Sequence, residues 1–151
     1  MKAVIQRVKE ARVVIDGRAA AGIGRGILLL LGVERGDAEG DVDYLVKKVS
    51  AMRIFEDAGG RMNLSLRDTG GSLLLVSQFT LAADCSKGTR PSFDRAEEPL
   101  RAEELYEKAA AAFRAEGIPT QTGVFGAAME VGLVNDGPVT IVLDRRAAHQ
   151  G

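Results

Sequence analysis

A proline lies between two apolar runs near the end of the chain, in the stretch LVNDGPVTIVL from Leu133 to Leu143. Such runs are typical of β-strands, and Asp-Gly usually marks a hairpin turn. Because proline cannot donate a hydrogen bond to a neighbouring strand, Pro138 excludes a regular interior strand at this point. An Xaa-Pro bond is cis in about 5–6% of folded cases, typically in tight turns. Two interpretations stay open: an ordinary trans turn, or a rigid Gly137-Pro138 peptide whose carbonyls recognise a ligand.

The composition predicts a globular domain that spans residues 1–151. The chain has 46% hydrophobic residues, 27% charged residues and a net charge of −1, and it is long enough for one sizeable core. No apolar run could span a bilayer and the N-terminus lacks a signal core, so we expect a cytoplasmic protein without a membrane partner. The near-neutral charge argues against a protein that wraps duplex nucleic acid, so any such contact should be local.

Cysteine and histidine are too few for several kinds of site. Cys85 is the one cysteine and His149 the one histidine, so an internal disulfide and a Cys/His zinc site are excluded. A Ser-His-Asp triad would depend on a histidine in the tail. We therefore expect no metal and no cofactor, an inert Cys85 thiol and a solvated His149.

The pattern of apolar residues predicts a mixed α/β fold in which strands dominate. One helix is expected to be capped by Asp41, and a second to begin near Pro99 and end at Gly117. Helices layered over one or two sheets are the economical packing. The expected strands are two within the first eighteen residues, then Ile27–Val33, Leu73 to about Leu81, Pro119–Thr122, Met129–Val134 and Val139–Leu143.

The strand that begins at Leu73 becomes polar in mid-course. Leu73 to Val76 are apolar, and Ser77-Gln78 precede Phe79-Thr80-Leu81. Polar side chains that interrupt a buried run need partners or a ligand, and strand ends in α/β folds are where ligands bind. The pattern fits either a strand end that emerges into solvent or a binding site.

These two stretches resemble the D-aminoacyl-tRNA deacylase family. SQFTL (77–81) and NDGPVT (135–140) match its two signature motifs, in the family's order. The opening residues and the segments 53–66, 87–93 and 122–131 are similar as well, so the resemblance covers nearly the whole chain. Two departures lie beside the motifs: Cys85 stands where threonine is common, and Gly132 where serine is common.

The resemblance implies a fold, an assembly and an activity. The fold would be a three-layer α/β/β arrangement of mixed sheets with two main helices, in a homodimer. Gly137-Pro138 would be a Gly-cisPro element that reaches the active site of the other subunit and rejects L-aminoacyl groups. The activity would be hydrolysis of the ester in D-aminoacyl-tRNA, and in tRNA wrongly charged with glycine.

We expect the hydrolysis to be organised around SQFTL. Backbone N–H groups near Phe79 and Thr80 can stabilise the oxyanion. Thr80 is interpreted as a positioning residue, because no base flanks it in sequence, and the ribose 2′-OH of the substrate would assist the reaction. Ser77 and Gln78 would hydrogen-bond the ester or ribose, and Phe79 would stack on the terminal adenine. Phe125, Met129, Asn135, Gly137 and Pro138 are the other expected substrate-binding residues, and Lys87, Arg90 and Arg95 the expected phosphate contacts.

Other functions also fit the pattern. A non-catalytic module for the tRNA 3′ end would bind D- and L-charged tRNA alike and release no amino acid. A small-molecule esterase with a Thr80 or Cys85 nucleophile would ignore the body of the tRNA. An inactive structural oligomer would leave the polar residues of SQFT unexplained.

Overall fold

The first strand organises the sheet by pairing with three others. The computed structural model describes residues 1–146. In it, β1 runs from Lys2 to Ile15. Its first half pairs antiparallel with β3 (Gly26–Gly32), its second half with β2 (Arg18–Ile23), and both halves with β8 (Glu130–Asp144). The prediction of two strands here was wrong, since the chain has no turn residue between Val8 and Val13 and changes partner without reversing.

The remaining strands complete a mixed sheet, as the sequence predicted. β6 (Ser72–Ser77) runs parallel to β3, and β7 (Thr120–Thr122) runs parallel to β6. The strand order is β2-β1-β3-β6-β7, with β8 on β1, while β4 (Phe55–Glu56) and β5 (Met62–Leu64) form a separate hairpin. The Gln121 side chain accepts a hydrogen bond of 2.8 Å from the Gly22 N–H, which joins β7 to β2 and nearly closes the sheet.

The two predicted helices are present. α3 runs from Pro99 to Ala115 and is followed by Gly117 at φ +82°, where glycine favours the stop. α1 runs from Glu39 to Ala51, so its cap is Ala38 and not Asp41. The Asp41 carboxylate instead accepts a hydrogen bond of 2.9 Å from the Ala38 N–H, an N3 role that also holds the helix start. A one-turn helix, α2 (Leu66–Thr69), was not predicted.

Two apolar clusters lie on opposite faces of β3 and β6. Leu29 and Leu75 belong to the cluster that packs against α1 and α3, whereas Leu28 and Leu74 belong to a cluster with the second half of β1. Alternate residues of a strand point to opposite faces, so burial on both faces explains why these strands are continuously apolar.

None of the helices described between residues 1 and 146 is long and apolar enough to cross a membrane.

The stretch from Leu133 to Leu143 is not a hairpin. Both apolar runs belong to β8, and β1 pairs with residues on either side of the proline, Asn135 with Val8 and Thr140 with Gln6. The register shifts between these pairs, so Pro138 sits where the ladder is interrupted and no donor is lost. The Gly137-Pro138 peptide bond is cis, and Gly137 has φ +126°.

A test of the β3–β6 pairing uses two neighbouring glycines. An added Cβ at Gly26 would lie 1.8 Å from the Ser72 carbonyl oxygen, whereas at Gly24 nothing lies within 4 Å. Gly26→Ala should therefore lower the free energy of unfolding by about 1–3 kcal/mol, because the β6 backbone must move. Gly24→Ala should leave it unchanged or raise it by up to about 1 kcal/mol. Urea unfolding at one protein concentration measures both, and equal midpoints for the two variants would contradict the close packing.

Candidate active site

A cleft opens beside the carboxyl end of β6. Its volume is about 460 Å³, and most of its wall is apolar. It brings together five residues that the sequence singled out from two separate segments, namely Ser77, Gln78, Phe79, Phe125 and Met129. The other lining residues are Val33, Val76, Glu97, Pro99, Ala102, Gly126, Ala127 and Val131. An apolar cleft with a few polar groups at one end is the common form of a small-molecule binding site.

The polar residues emerge because β6 ends before the sequence suggested. Ser77 pairs with Leu31, and β3 ends one residue later at Gly32. Without a neighbouring strand, residues Phe79–Ala82 form one turn of 3-10 helix, so the predicted strand to Leu81 was wrong in its last four residues. An added Cβ at Gly32 would lie 2.9 Å from Leu81 Cβ, so glycine there lets the turn pack closely on β3.

This turn presents backbone donors at the mouth of the cleft. The Leu81 N–H donates to the Gln78 carbonyl at 3.2 Å, and the Ala83 N–H to the Thr80 carbonyl at 3.1 Å. The N–H groups of Phe79 and Thr80 come first in the turn, where the turn itself contains no carbonyl to accept them. Phe79 lines the cleft and is 56% exposed, whereas Thr80, also exposed, is not among the lining residues.

Thr80 has an amide as its neighbour, not a base. The Gln78 side-chain nitrogen donates a hydrogen bond to the Thr80 hydroxyl oxygen. An amide nitrogen cannot take up the hydroxyl proton, so this contact does not activate Thr80 as a nucleophile. It fixes the two side chains relative to each other at the end of the cleft.

The opposite wall of the cleft is the segment between β7 and β8. The Gly123 N–H donates to the Leu75 carbonyl at 3.0 Å, and the Tyr106 hydroxyl donates to the same carbonyl at 2.9 Å. The ring centroids of Tyr106 and Phe125 are 5.8 Å apart. Burial raises the pKa of Tyr106 to about 12. Tyr106 lies on the buried face of α3 beside Leu105 and Ala109. A buried tyrosine in place of phenylalanine is the signal that its hydroxyl has a partner.

The loop 83–98, between the 3-10 turn and α3, lies next to the exposed ring of Phe79. The rings of Phe79 and Phe93 meet edge to face with centroids 5.2 Å apart. Lys87, Arg90 and Arg95 are exposed on the same loop, and Arg95 lies 4.0 Å from the Asp84 carboxylate. Hydrogen bonds from the Ser86 hydroxyl and N–H lower the pKa of Asp84. The three expected phosphate contacts thus lie on one loop, which contacts Phe79 through Phe93. Cys85 is exposed in the same loop.

The second motif lies away from the cleft within its own chain. Asn135 and Thr140 lie on either side of Gly137-Pro138. Across the intervening strands β1 and β3, Asn135 is in register with Ser72 of β6, and Thr140 is in register with Leu74. Ser77 lies three to five residues further along the strand, about 10–16 Å at roughly 3.3 Å per residue. The cleft lining includes none of Asn135, Gly137 and Pro138, and all three are exposed.

A buried arginine holds the residue before Gly137. Arg7 is 5% exposed, and its Nε donates to the Asp136 carbonyl at 3.0 Å. Its Nη1 donates to the Ile54 carbonyl at 2.7 Å, and Nε lies 3.6 Å from the Asp136 carboxylate. Sequence reasoning missed this role. The available signal was that Arg7 shares the inward phase of β1 with Ala3 and Ile5, where a charged residue needs partners.

No metal centre is found in the part of the chain that the structure describes. Among residues 1–146, no three Asp, Glu, His or Cys side chains come together in a way that could hold a metal ion. His149, expected to be a solvated tail residue, lies outside the described residues.

Comparison with known proteins points to one family. The family model described as D-Tyr-tRNA(Tyr) deacylase matches residues 4–144. A D-aminoacyl-tRNA deacylase of Geobacter sulfurreducens is 58% identical over 97% of this chain and 97% of its own length. Another, of Geobacter metallireducens, is 58% identical over 100% of both chains.

Solved structures share the fold. The c-Myc DNA Unwinding Element Binding Protein is 40% identical and superposes with a TM-score of 0.91, over 95% of this chain and 98% of its own. A probable eukaryotic D-amino acid tRNA deacylase is 17% identical, with a TM-score of 0.79 over 94% and 97% of the two chains. At that identity the second likeness concerns the fold alone.

The buried Tyr106 hydroxyl gives a pH-dependent prediction. Of the two tyrosines, Tyr44→Phe leaves Tyr106 as the one phenol that titrates. Phenolate absorbance should then appear with a midpoint near 12 in the folded protein, and near 10 in urea. The pKa of Tyr106 is higher in the folded state than in the unfolded state. Its contribution to the free energy of unfolding is therefore fully present below about pH 10 and is lost as the pH rises to about 12. A folded-state midpoint near 10 would contradict the burial of the Tyr106 hydroxyl.

Proposed function

We infer, from the premise that this chain belongs to the D-Tyr-tRNA(Tyr) deacylase family, that it hydrolyses D-aminoacyl-tRNA in the cleft beside Ser77–Thr80. The family and its relatives establish a hydrolase that acts on the ester bond of aminoacyl-tRNA. The observation that supports this location is the turn at Phe79–Ala82, which presents backbone donors and the Gln78–Thr80 pair at the mouth of an apolar cleft.

In the proposed reaction water attacks the ester carbonyl carbon. The carbonyl oxygen becomes an oxyanion that accepts hydrogen bonds from the N–H groups of Phe79 and Thr80, and one such donor contributes about 3–4 kcal/mol. The bond from the acyl carbon to the ribose oxygen then breaks, and that oxygen takes a proton. The products are the free D-amino acid and tRNA with an intact 3′ end.

Thr80 acts in this scheme by position. Its hydroxyl is held by the Gln78 amide, and a threonine needs an adjacent base to attack an ester. An aminoacyl ester is already activated, so placing the water and stabilising the oxyanion are the main requirements. The neighbouring ribose 2′-OH belongs to the substrate and assists proton transfer there.

Chiral selection is assigned to Gly137-Pro138 of a second subunit. Once the ammonium and ester are fixed, D- and L-aminoacyl groups differ by exchanging Hα and the side chain. A main-chain wall beside Cα therefore accepts Hα and excludes an L side chain, and its carbonyls accept hydrogen bonds from the ammonium. Glycine has only hydrogens on Cα, so glycyl-tRNA passes this wall and is also hydrolysed.

The placement of the second motif supports a homodimer. Gly137 and Pro138 are exposed and lie outside the cleft of their own chain, so they can act at a cleft only if it belongs to another copy. Arg7, held between the carbonyls of Ile54 and Asp136, fixes the base of the element. With the homodimer we propose the three-layer α/β/β arrangement, in which the apolar clusters on the two faces of β3 and β6 are the two interlayer cores.

In this proposal the protein binds the tRNA at its acceptor end. Phe79 offers an exposed ring on which the terminal adenine can stack, a contact that contributes about 1–3 kcal/mol. Lys87, Arg90 and Arg95 lie on the adjoining loop and would contact phosphates. The net charge of −1 fits a local contact and not the wrapping of a duplex, although one solved relative is named for binding DNA.

The direct test compares three charged forms of one tRNA. Purified protein should release amino acid from D-Tyr-tRNA and glycyl-tRNA, and at least about 100-fold more slowly from L-Tyr-tRNA, as followed by loss of radiolabelled ester. Binding of both enantiomers without release would instead indicate a non-catalytic module. Equal rates for D- and L-Tyr-tRNA would exclude the chiral wall.

The same assay separates a positioning role for Thr80 from a nucleophilic one. Thr80→Val should keep substantial turnover of D-Tyr-tRNA, because the oxyanion donors are main-chain groups. A loss beyond about 10³-fold, or about 4 kcal/mol, would favour the esterase alternative with a Thr80 nucleophile. Cys85→Ser is the matched control for the thiol and should match the wild type.

Mixed dimers test whether the second motif acts across subunits. Ala127→Trp fills the cleft, and Gly137→Ala distorts the element, since an added Cβ would lie 3.0 Å from Val139 Cγ2 at φ +126°. Each variant alone should be nearly inactive. Co-expressed, they should regain about a quarter of wild-type activity, because half of randomly formed dimers are mixed and each has one intact site. No recovery would mean that both motifs act within one chain.

A further inference from the structure

The two walls of the cleft come from segments that the sheet holds unequally. One wall is the end of β6 and the following turn, which is anchored by full pairing with β3. The other is the segment Gly123–Met129, which leaves the sheet after the three residues of β7 and rejoins it at Glu130. Beyond the hydrogen bond from the Gly123 N–H to the Leu75 carbonyl, residues 123–129 form no strand, so the distance of this second wall from Ser77 and Gln78 depends on other contacts.

A tyrosine from α3 supplies such a contact at the point where the segment leaves the sheet. Tyr106 is 4% exposed, and its hydroxyl donates to the Leu75 carbonyl at 2.9 Å and lies 3.4 Å from the Gly123 carbonyl. The Gly123 N–H donates to the same Leu75 carbonyl at 3.0 Å. One hydroxyl proton serves one acceptor at a time, so the hydroxyl is shared between the strand and the departing segment.

Gly123 transmits this position to the rest of the wall. An added Cβ at Gly123 would lie 2.7 Å from the Met129 sulfur, so the Met129 side chain packs directly on the glycine. Phe125, two residues further on, packs on the Tyr106 ring at 5.8 Å between centroids. Two of the cleft-lining side chains of this segment, Phe125 and Met129, are therefore placed by the Tyr106–Gly123 junction.

We propose that Tyr106 is a positioning residue that sets the width of the cleft by tying Gly123 to Leu75. This inference rests on the proposed function, because it assumes that the cleft receives the acylated 3′ end. The Tyr106 hydroxyl does not line the cleft, so it acts through Phe125 and Met129. It governs how well substrate is held and not the chemical step at Phe79 and Thr80.

The experiment compares Tyr106→Phe with Tyr44→Phe. Tyr44 lies on α1 with the Arg145 guanidinium 4.0 Å above its ring, away from the residues that line the cleft. With D-Tyr-tRNA, Tyr106→Phe should raise KM about 5–15-fold and leave kcat within about two-fold. Tyr44→Phe should change neither. Gly123→Ala, which displaces Met129, should raise KM in the same direction.

A second measurement does not depend on activity. Amide hydrogen exchange of the segment 123–129 should be faster in Tyr106→Phe than in the wild type, and unchanged in Tyr44→Phe. The proposal is overturned if exchange there stays at the wild-type rate, or if the loss falls on kcat with KM unchanged. If the wild type releases no amino acid at all, the proposed function fails, and exchange in the segment still decides whether Tyr106 holds the wall.

Discussion

The parallel pairing of β3 with β6 is the constraint on which the rest of the structure depends. Both strands are buried on both faces, so their registers are fixed by two apolar clusters at once. The pairing ends where β3 ends, at Gly32, and the chain must then leave the sheet with Ser77 and Gln78. A hydrophobic constraint thereby decides where the polar side chains of Ser77 and Gln78 appear, and places them in the lining of the cleft.

Much of this arrangement was predictable from the sequence, and the failures have a common cause. The helix that begins at Pro99 and stops before Gly117 and the buried strands were found because their signals are local. The single β1, the continuous β8 and the early end of β6 depend on which strand lies alongside, which local patterning does not encode. Ser77, Gln78 and Phe79 were recognised as polar or exposed anomalies, whereas Arg7 and Tyr106 were missed because their partners are backbone carbonyls distant in sequence.

The two departures from the family pattern, Cys85 and Gly132, differ in how tightly their surroundings restrict the side chain. Cys85 is exposed in the loop 83–98, and nothing in the described contacts makes the substitution costly there. Gly132 lies under the Arg12 guanidinium, and a Cβ would be 2.8 Å from Arg12 Cζ. A serine at that position would require the arginine side chain to move, so glycine at 132 and the position of Arg12 over β8 belong together.

The near-closure of the sheet has a consequence for where the molecule opens. One side-chain amide, from Gln121, bridges β2 and β7, and β7 itself pairs with β6 over only three residues. Local unfolding follows the path that breaks the fewest interactions, so we expect it to begin at the contact between β2 and β7. Because the segment 123–129 continues directly from β7 and lines the cleft, opening at this contact should widen the cleft as well.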